Sequence, residues 1–378
     1  MARLVLPSLT RLVMNTGLRM FYPFLPVFAR ELQISPAGLA DLISLRGFMG
    51  FFSPLFGPLA DLLGRRILMV GSMLLFTIGC FLVWLWPTYV TMGATLCLFG
   101  LAKVLFDPAL QAHLGDSISY RRRGMAIAIT ELAWSGGLLV GAPIVALVMN
   151  WQGWNWPFFW LGIFGAGFTL LLWWRLPPGK KTTHLAKYSD VRFALRQKTI
   201  WAAAAFGLLT VLANETLFIV FGTWMEESFE LPLTGLGLTA GLIGGSEFIA
   251  ELTAGWSTDR FGKRPVIVLA GILSVVSYAV VGFLSGSLAG ALVALALLFF
   301  FFEWTIVAAI PLFTEIAPSF RATVLSIVIA TSSLGRALGA IIGPRIYLLG
   351  GLRANAITAA ILMAVAVVIL GLWVREGE

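Results

Sequence analysis

Hydrophobic runs of membrane-spanning length follow one another along almost the whole chain, and they are of two kinds. A hydrocarbon core about 30 Å thick needs about 20 apolar residues in helical form. Twelve runs qualify, over about residues 5–29, 37–59, 67–86, 90–113, 125–149, 155–175, 200–224, 235–257, 265–284, 289–314, 323–347 and 353–374. The third, sixth, ninth and twelfth have no charge in their cores, while each of the others holds at least one Arg, Lys, Asp or Glu. A charge at the bilayer centre costs roughly 2.5–3.5 kcal/mol on insertion scales, so such residues must turn toward protein or water. The pattern predicts an all-α integral membrane protein of twelve transmembrane helices. Eight would surround a wet interior and four would shield them from lipid, which is the plan of a transporter.

Composition agrees. Of 378 residues, 59% are hydrophobic and only 12% are charged, too little polar surface for a soluble domain of this size. The net charge of +8 lies mainly in short connections, where it sets topology and meets anionic headgroups; nucleic acid is not an expected partner. One set of connections carries Arg65, Arg66, Arg121, Arg122, Arg123, Lys180, Lys181, Lys187, Arg192, Arg196, Lys198, Arg260, Lys263, Arg264 and Arg321. The opposite set has little beyond Arg30 and Arg353, plus Glu226, Glu227 and Glu230. The first set is therefore expected to be cytoplasmic, with both termini on that side of the cell (inner) membrane. Cys80 and Cys97 lie within predicted spans, and with two histidines they offer neither a disulfide framework nor a metal cluster. The first run holds Arg11 and Arg19 and no A-x-A-like site follows it, so it does not read as a cleavable signal peptide.

The chain reads as two halves. Gly57-Pro-Leu-Ala-Asp61-Leu-Leu-Gly64-Arg65-Arg66 follows the second run and Gly255-Trp-Ser-Thr-Asp259-Arg-Phe-Gly262-Lys263-Arg264 the eighth, 198 residues further on. The same offset carries Arg123 to Arg321, Gly137 to Gly335 and Gly141 to Gly339. The expected organisation is a six-helix bundle over 1–175, a basic linker over 176–198, and a second six-helix bundle over 199–378. Repeated halves with a substrate site near the midplane are a known transporter architecture.

The first loop motif resembles the loop signature of the major facilitator superfamily, with a degenerate copy in the second half; the resemblance extends over essentially the whole chain. It implies a transporter that alternates between inward- and outward-open states. It also implies that Gly57, Asp61, Gly64 and Arg65, with Asp116 as acidic partner, and Gly255, Asp259, Gly262 and Arg264 in the copy, act in gating. Leu62 stands where the family often has Arg, which removes one partner from such a latch. Gly137-Leu-Leu-Val-Gly141-Ala-Pro143 is similar to the family's antiporter motif, with Ala142 inserted and the trailing glycines missing. This series, and Gly335, Gly339 and Gly343 before Pro344 in the eleventh run, also suit plain helix packing.

Candidate chemistry lies inside the runs. Arg11, Asn15, Arg19 and Tyr22 recur at spacings of four, four and three, one helical face, with Pro23 and Pro26 predicting a kink above it. Arg46 lies near the middle of the second run, Lys103 and Asp107 are an i,i+4 pair in the fourth, and Glu131 lies in the fifth. The second half has the opposite bias, with Glu215 beside Asn214, Glu247 and Glu251 on one face, and Glu303 beside Trp304, offset by Arg336 alone. Two carboxylates four residues apart in a low dielectric cannot both ionise cheaply, so one is expected to hold a proton. Glu247, Glu251, Glu303, Glu215, Glu131 and Asp107 are thus candidates for proton coupling. Arg19, Asn15, Tyr22, Arg46, Lys103, Trp134, Asn214, Trp304 and Arg336 are candidates for substrate binding. Each charge has a plainer reading as an interhelical salt bridge, and Asp41, Arg345 and His113 read better as span-end residues.

The sequence therefore points to proton-coupled export of an amphiphilic or drug-like molecule by a monomeric secondary transporter in contact with membrane lipids. Uptake or exchange of an organic anion held by Arg19, Arg46 and Lys103, or translocation of a lipid or lysolipid, are the alternatives. No G-x-x-x-x-G-K-[ST] loop occurs, so the proton gradient rather than ATP is the expected energy source, and no cofactor is implied. An integral-membrane enzyme would need a ligand set or a nucleophile–base pair that the sequence does not offer, and a receptor or scaffold would not need charged interiors in both halves.

Overall fold

The computed structural model describes residues 2–56, 59, 63–117, 130–177, 197–316 and 321–374, with side chains for all of these except 2–3, 115–117, 321 and 322. Regular structure in the described residues is helical throughout. In order the elements are α1 (Ala2–Arg19), α2 (Leu25–Glu31), α3 (Pro36–Phe51), α4 (Ser53–Phe56), α5 (Arg65–Leu85), α6 (Tyr89–Ser117), α7 (Thr130–Gln152), α8 (Trp156–Arg175), α9 (Lys198–Phe218), α10 (Phe221–Phe229), α11 (Leu233–Phe261), α12 (Lys263–Leu284), α13 (Leu288–Glu315) and α14 (Arg321–Trp373). Among the described residues, nine helical stretches are long and apolar enough to cross a membrane. One of them, Thr323–Trp373, is folded at Gly350 and Gly351, where φ is −149° and +63°. It therefore holds the eleventh and twelfth predicted spans. The first two predicted spans are present as the shorter pieces α1–α2 and α3–α4.

The kink expected in the first span is a full break. α1 stops at Arg19, Met20–Phe24 forms a turn, and α2 restarts under Pro26. The seventh span, expected over 200–224, is present and is also interrupted: α9 ends at Phe218 and α10 begins at Phe221, although no proline stands there. In α7, Gly137–Gly141 forms one π-helical turn.

The internal repeat is visible in the backbone. Gly64 (φ +89°) and Gly262 (φ +85°) start α5 and α12, and Gly153 (φ +110°) and Gly351 (φ +63°) precede the sixth and twelfth spans. Each pair is 198 residues apart. A positive φ is costly for a side-chain-bearing residue, so these four turns favour glycine, two of them within the loop motifs.

The chain folds into two compact units: Met1–Leu185 with Leu231–Gly244, and Ala186–Glu230 with Gly245–Glu378. In the first, α5 packs on α6 and α8, α3 on α6, and α1 on α7 and α8. The start of α11 joins this unit because its glycines bring its backbone onto α7; a methyl at Gly237 would stand 2.6 Å from Ala146 Cβ, and one at Gly241 3.2 Å from Pro143. In the second unit, α9 packs along α14 and α12 packs on α13 and α14. A methyl at Gly339 would lie 2.5 Å from Glu215 Cβ, and one at Gly343 2.6 Å from the Thr216 carbonyl oxygen. Absence of a side chain is what permits this backbone approach.

The uncharged helices present apolar stripes outward. On α5 the exposed stripe is Ile67, Leu74, Ile78 and Leu85; on α12 it is Leu269, Ile272, Val276 and Phe283. On the last limb of α14 it is Ile357, Ile361, Val365, Val368 and Leu372. Stripes of this kind at helical spacing suit acyl chains.

Candidate functional site

In the first unit, the polar face of α1 organises the interior. Arg11, only 6% exposed, forks onto Glu131: Nη1 lies 2.8 Å from Oε1 and Nη2 donates to Oε2 at 2.9 Å. Its Nε donates to Asp107 Oδ1 at 3.2 Å and Nη1 to the Thr130 carbonyl at 2.8 Å. One guanidinium thus joins α1, α6 and α7. Bidentate, charge-assisted bonds are the strong kind, because the planar fork matches the carboxylate. One turn on, Asn15 donates to the Ala133 carbonyl at 2.9 Å and accepts from Lys103 Nζ at 2.9 Å. Lys103 also pairs with Asp107 Oδ2 at 2.9 Å, the i,i+4 contact read from the sequence.

Trp134 collects two cations. The Arg19 guanidinium carbon stands 4.3 Å from its ring centroid and Lys103 Nζ 5.5 Å, within reach of the ring's negative face. Arg19, 1% exposed, also donates to the Trp134 carbonyl at 3.0 Å. Arg46 takes a different part. It donates to the Leu18 carbonyl and, at 2.6 Å, to the Tyr22 hydroxyl, and lies 5.4 Å from the Tyr22 ring centroid. Tyr22 itself sits in the turn after α1 rather than on the helix, and is fully buried. Across these groups the cations Arg11, Arg19, Arg46 and Lys103 face the carboxylates Asp107 and Glu131, a formal surplus of positive charge.

The second unit reverses the sign. Glu215, with no exposed surface, pairs with Arg336 Nη1 at 3.2 Å, and Asn214 Oδ1 accepts from the Tyr278 hydroxyl at 3.4 Å. Glu247 (1%) and Glu303 (6%) are buried, while Glu251 is half-buried. Trp304 donates to Ser257 Oγ at 3.0 Å and packs on the apolar cluster that includes Ala308, Val328 and Ala254. Carboxylates so far from water are costly unless paired or protonated.

Two broken helices, each backed by a glycine-bearing neighbour in its own unit, repeat at one offset along the chain. The Major Facilitator Superfamily family model matches residues 8–245 and again 203–378. The chain belongs to the Major Facilitator Superfamily. It is 24% identical over 349 residues to the uncharacterized MFS-type transporter YceJ of Bacillus subtilis (strain 168), covering 89% of this chain and 86% of that one. It is 24% identical over 261 residues to the uncharacterized MFS-type transporter YwfA of the same organism, covering 67% of this chain and 63% of the relative. Its fold is similar to that of the human organic anion transporter MFSD10 (TETRAN), with a TM-score of 0.76 at 16% identity over 97% of this chain and 98% of that chain. Members of this superfamily are transporters, not enzymes, and this one is a multi-pass integral membrane protein.

The superfamily's loop signature is partly outside the described residues: Gly57, Asp61 and the side chain of Asp116 lie there, so the expected Arg65–Asp116 pair is not on view. Its counterpart in the second unit is. Lys263, 198 residues after Arg65, pairs with Glu315 at the end of α13, and Arg264 donates to the Gly371 carbonyl. Asp259 is exposed, and a methyl at Gly255 would meet nothing within 4 Å. Sequence reasoning noted Arg11 only as part of a stripe and passed over Asn355 entirely. Asn355 is fully buried and donates to the carbonyls of Thr216 at 2.6 Å and Gly343 at 2.8 Å. Its one signal was a lone amide in an otherwise apolar span.

Proposed function

We propose that this transporter exports an amphiphilic small molecule in exchange for protons, acting as a monomer in the cell membrane with both termini cytoplasmic. The observation that carries the reading is the set of buried carboxylates in the second unit, Glu215, Glu247 and Glu303. Glu215 pairs with Arg336, and Glu247 and Glu303 are the proton carriers in this reading. Ionisable side chains held inside a membrane protein are the groups from which proton relays are built. The apolar outer stripes and interior aromatics suit a substrate that partitions into lipid.

A specific observation favours a second reading, transport of an organic anion. Arg19 and Lys103 both lie against the Trp134 ring, a pair of cations beside an aromatic surface suited to a carboxylate or sulfonate carried on a ring. The likeness to an organic anion transporter is in keeping with it.

Gradient-driven and exchange transport of a cationic dye, an anionic dye and a lysophospholipid in proteoliposomes test both readings. Glu303→Gln and Glu247→Gln should abolish driven transport and spare exchange; driven transport at the wild-type rate in both variants removes these carboxylates from coupling. Trp134→Ala should weaken transport of the anionic dye alone if the second reading holds.

A further inference from the structure

The breaks in α1 and α9 are the same break. Tyr22 N–H donates to the Arg19 carbonyl at 3.2 Å, and Val220 N–H donates to the Leu217 carbonyl at 3.2 Å. In an unbroken α-helix these N–H groups would go to Leu18 and Thr216. Both donors and both acceptors are 198 residues apart, so the repeat extends to single backbone bonds. Each break tightens to a three-residue turn and deprives one buried carbonyl of its helical donor. A buried carbonyl left without a partner is costly, and each is met by a side chain from another helix. The Leu18 carbonyl accepts from Arg46 on α3; the Thr216 carbonyl accepts from Asn355 on α14. Both donors are buried. The acceptors fix the amide orientation of Asn355, since only its nitrogen can serve the carbonyls of Thr216 and Gly343.

We infer that Asn355, and Arg46 redundantly with Pro23, are positioning residues that keep equivalent breaks open in the two leading helices, and so set the direction in which α2 and α10 continue. The inference is independent of the proposed substrate and of proton coupling. It takes Arg46 out of the substrate-binding set. The two breaks are not equally secure. Pro23 has no N–H to give the Arg19 carbonyl, so the first break persists by covalent structure. Phe221 stands at the equivalent place in the second, where Val220 N–H can return to the Thr216 carbonyl once Asn355 is gone.

Spin-label distances across each break, in the full chain in nanodiscs with Cys80→Ala and Cys97→Ala, test this. Labels go at Trp201→Cys and Ser228→Cys for α9–α10, and at Leu9→Cys and Glu31→Cys for α1–α2; all four sites are exposed. Asn355→Leu should shift the first distance by about 1–2 Å, because a segment about 13 Å long that turns through about 20° moves its far end by about 5 Å, mostly across the line between the labels. Asn355→Ala, which leaves space rather than filling it, carries the same expectation if the leucine variant does not accumulate. Arg46→Met should leave the second distance unchanged, but in Pro23→Ala it should shift it by a similar amount, and Arg46→Lys in that background should restore it. An unchanged distance in the Asn355 variants, or in Pro23→Ala with Arg46→Met, overturns the inference.

Discussion

Replacing Arg11 by Met is the sharpest perturbation of the first unit. The substitution keeps much of the apolar stem and removes the group that ties α1 to α6 and α7. Asp107 keeps Lys103 at 2.9 Å, so the partner left stranded is chiefly Glu131. Breaking a buried pair costs about 3–5 kcal/mol where the orphaned charge is sealed from water. The Glu131 side chain is 34% exposed, so solvent takes up part of that and about 2–3 kcal/mol remains. For a unit of this size each kcal/mol is worth about 2–4 °C, so Tm should fall by roughly 4–12 °C. Thermal unfolding in detergent, followed by tryptophan fluorescence, measures it. Glu131→Gln on top of Arg11→Met removes the stranded charge and should recover part of the loss. A Tm for Arg11→Met within about 1 °C of wild type, or a double variant less stable than the single, refutes the reasoning.

Lys263→Gln and Glu315→Gln should each raise the basal rate of substrate leak through the protein in proteoliposomes, and the double substitution should add little to either, because both remove one ion pair; additive effects would mean the pair does not act as a unit. Gly343→Val should cost about 1–3 kcal/mol or prevent accumulation, since its side chain would meet the Thr216 carbonyl, while Gly255→Ala should leave stability within about 0.5 kcal/mol of wild type; equal tolerance at both would contradict the close packing of α9 on α14. Arg336→Met should be rescued in expression and stability by Glu215→Gln, measured as folded protein recovered in detergent, because the cost lies in taking a cation away from a carboxylate with no exposed surface.

Much of this was legible in the order of residues. Apolar length gave the spans, the spacing of Arg11, Asn15 and Arg19 gave the inner face of α1, and the 198-residue offset gave the repeat. Lys103–Asp107 could be read because helical geometry brings i and i+4 together. The pairing of Arg11 with Glu131 could not be, because it depends on how α1 meets α7, which no local pattern encodes. Pro23 announced the first break by its missing N–H. The second has no such residue; it rests on Asn355 in another span and on backbone bonds that the side-chain pattern does not mark. Trp304 stood out beside Glu303, yet adjacent residues on a helix point about 100° apart, and its ring turns to the apolar cluster and Ser257.

Proton movement tied to substrate is the central claim, and it can be measured without knowing the direction of transport. Proteoliposomes holding a pH-sensitive dye, with no gradient imposed, should show a change of internal pH when a transported compound is added to wild type and none in Glu303→Gln or Glu247→Gln. Transport of the same compound by wild type with no accompanying pH change contradicts the account.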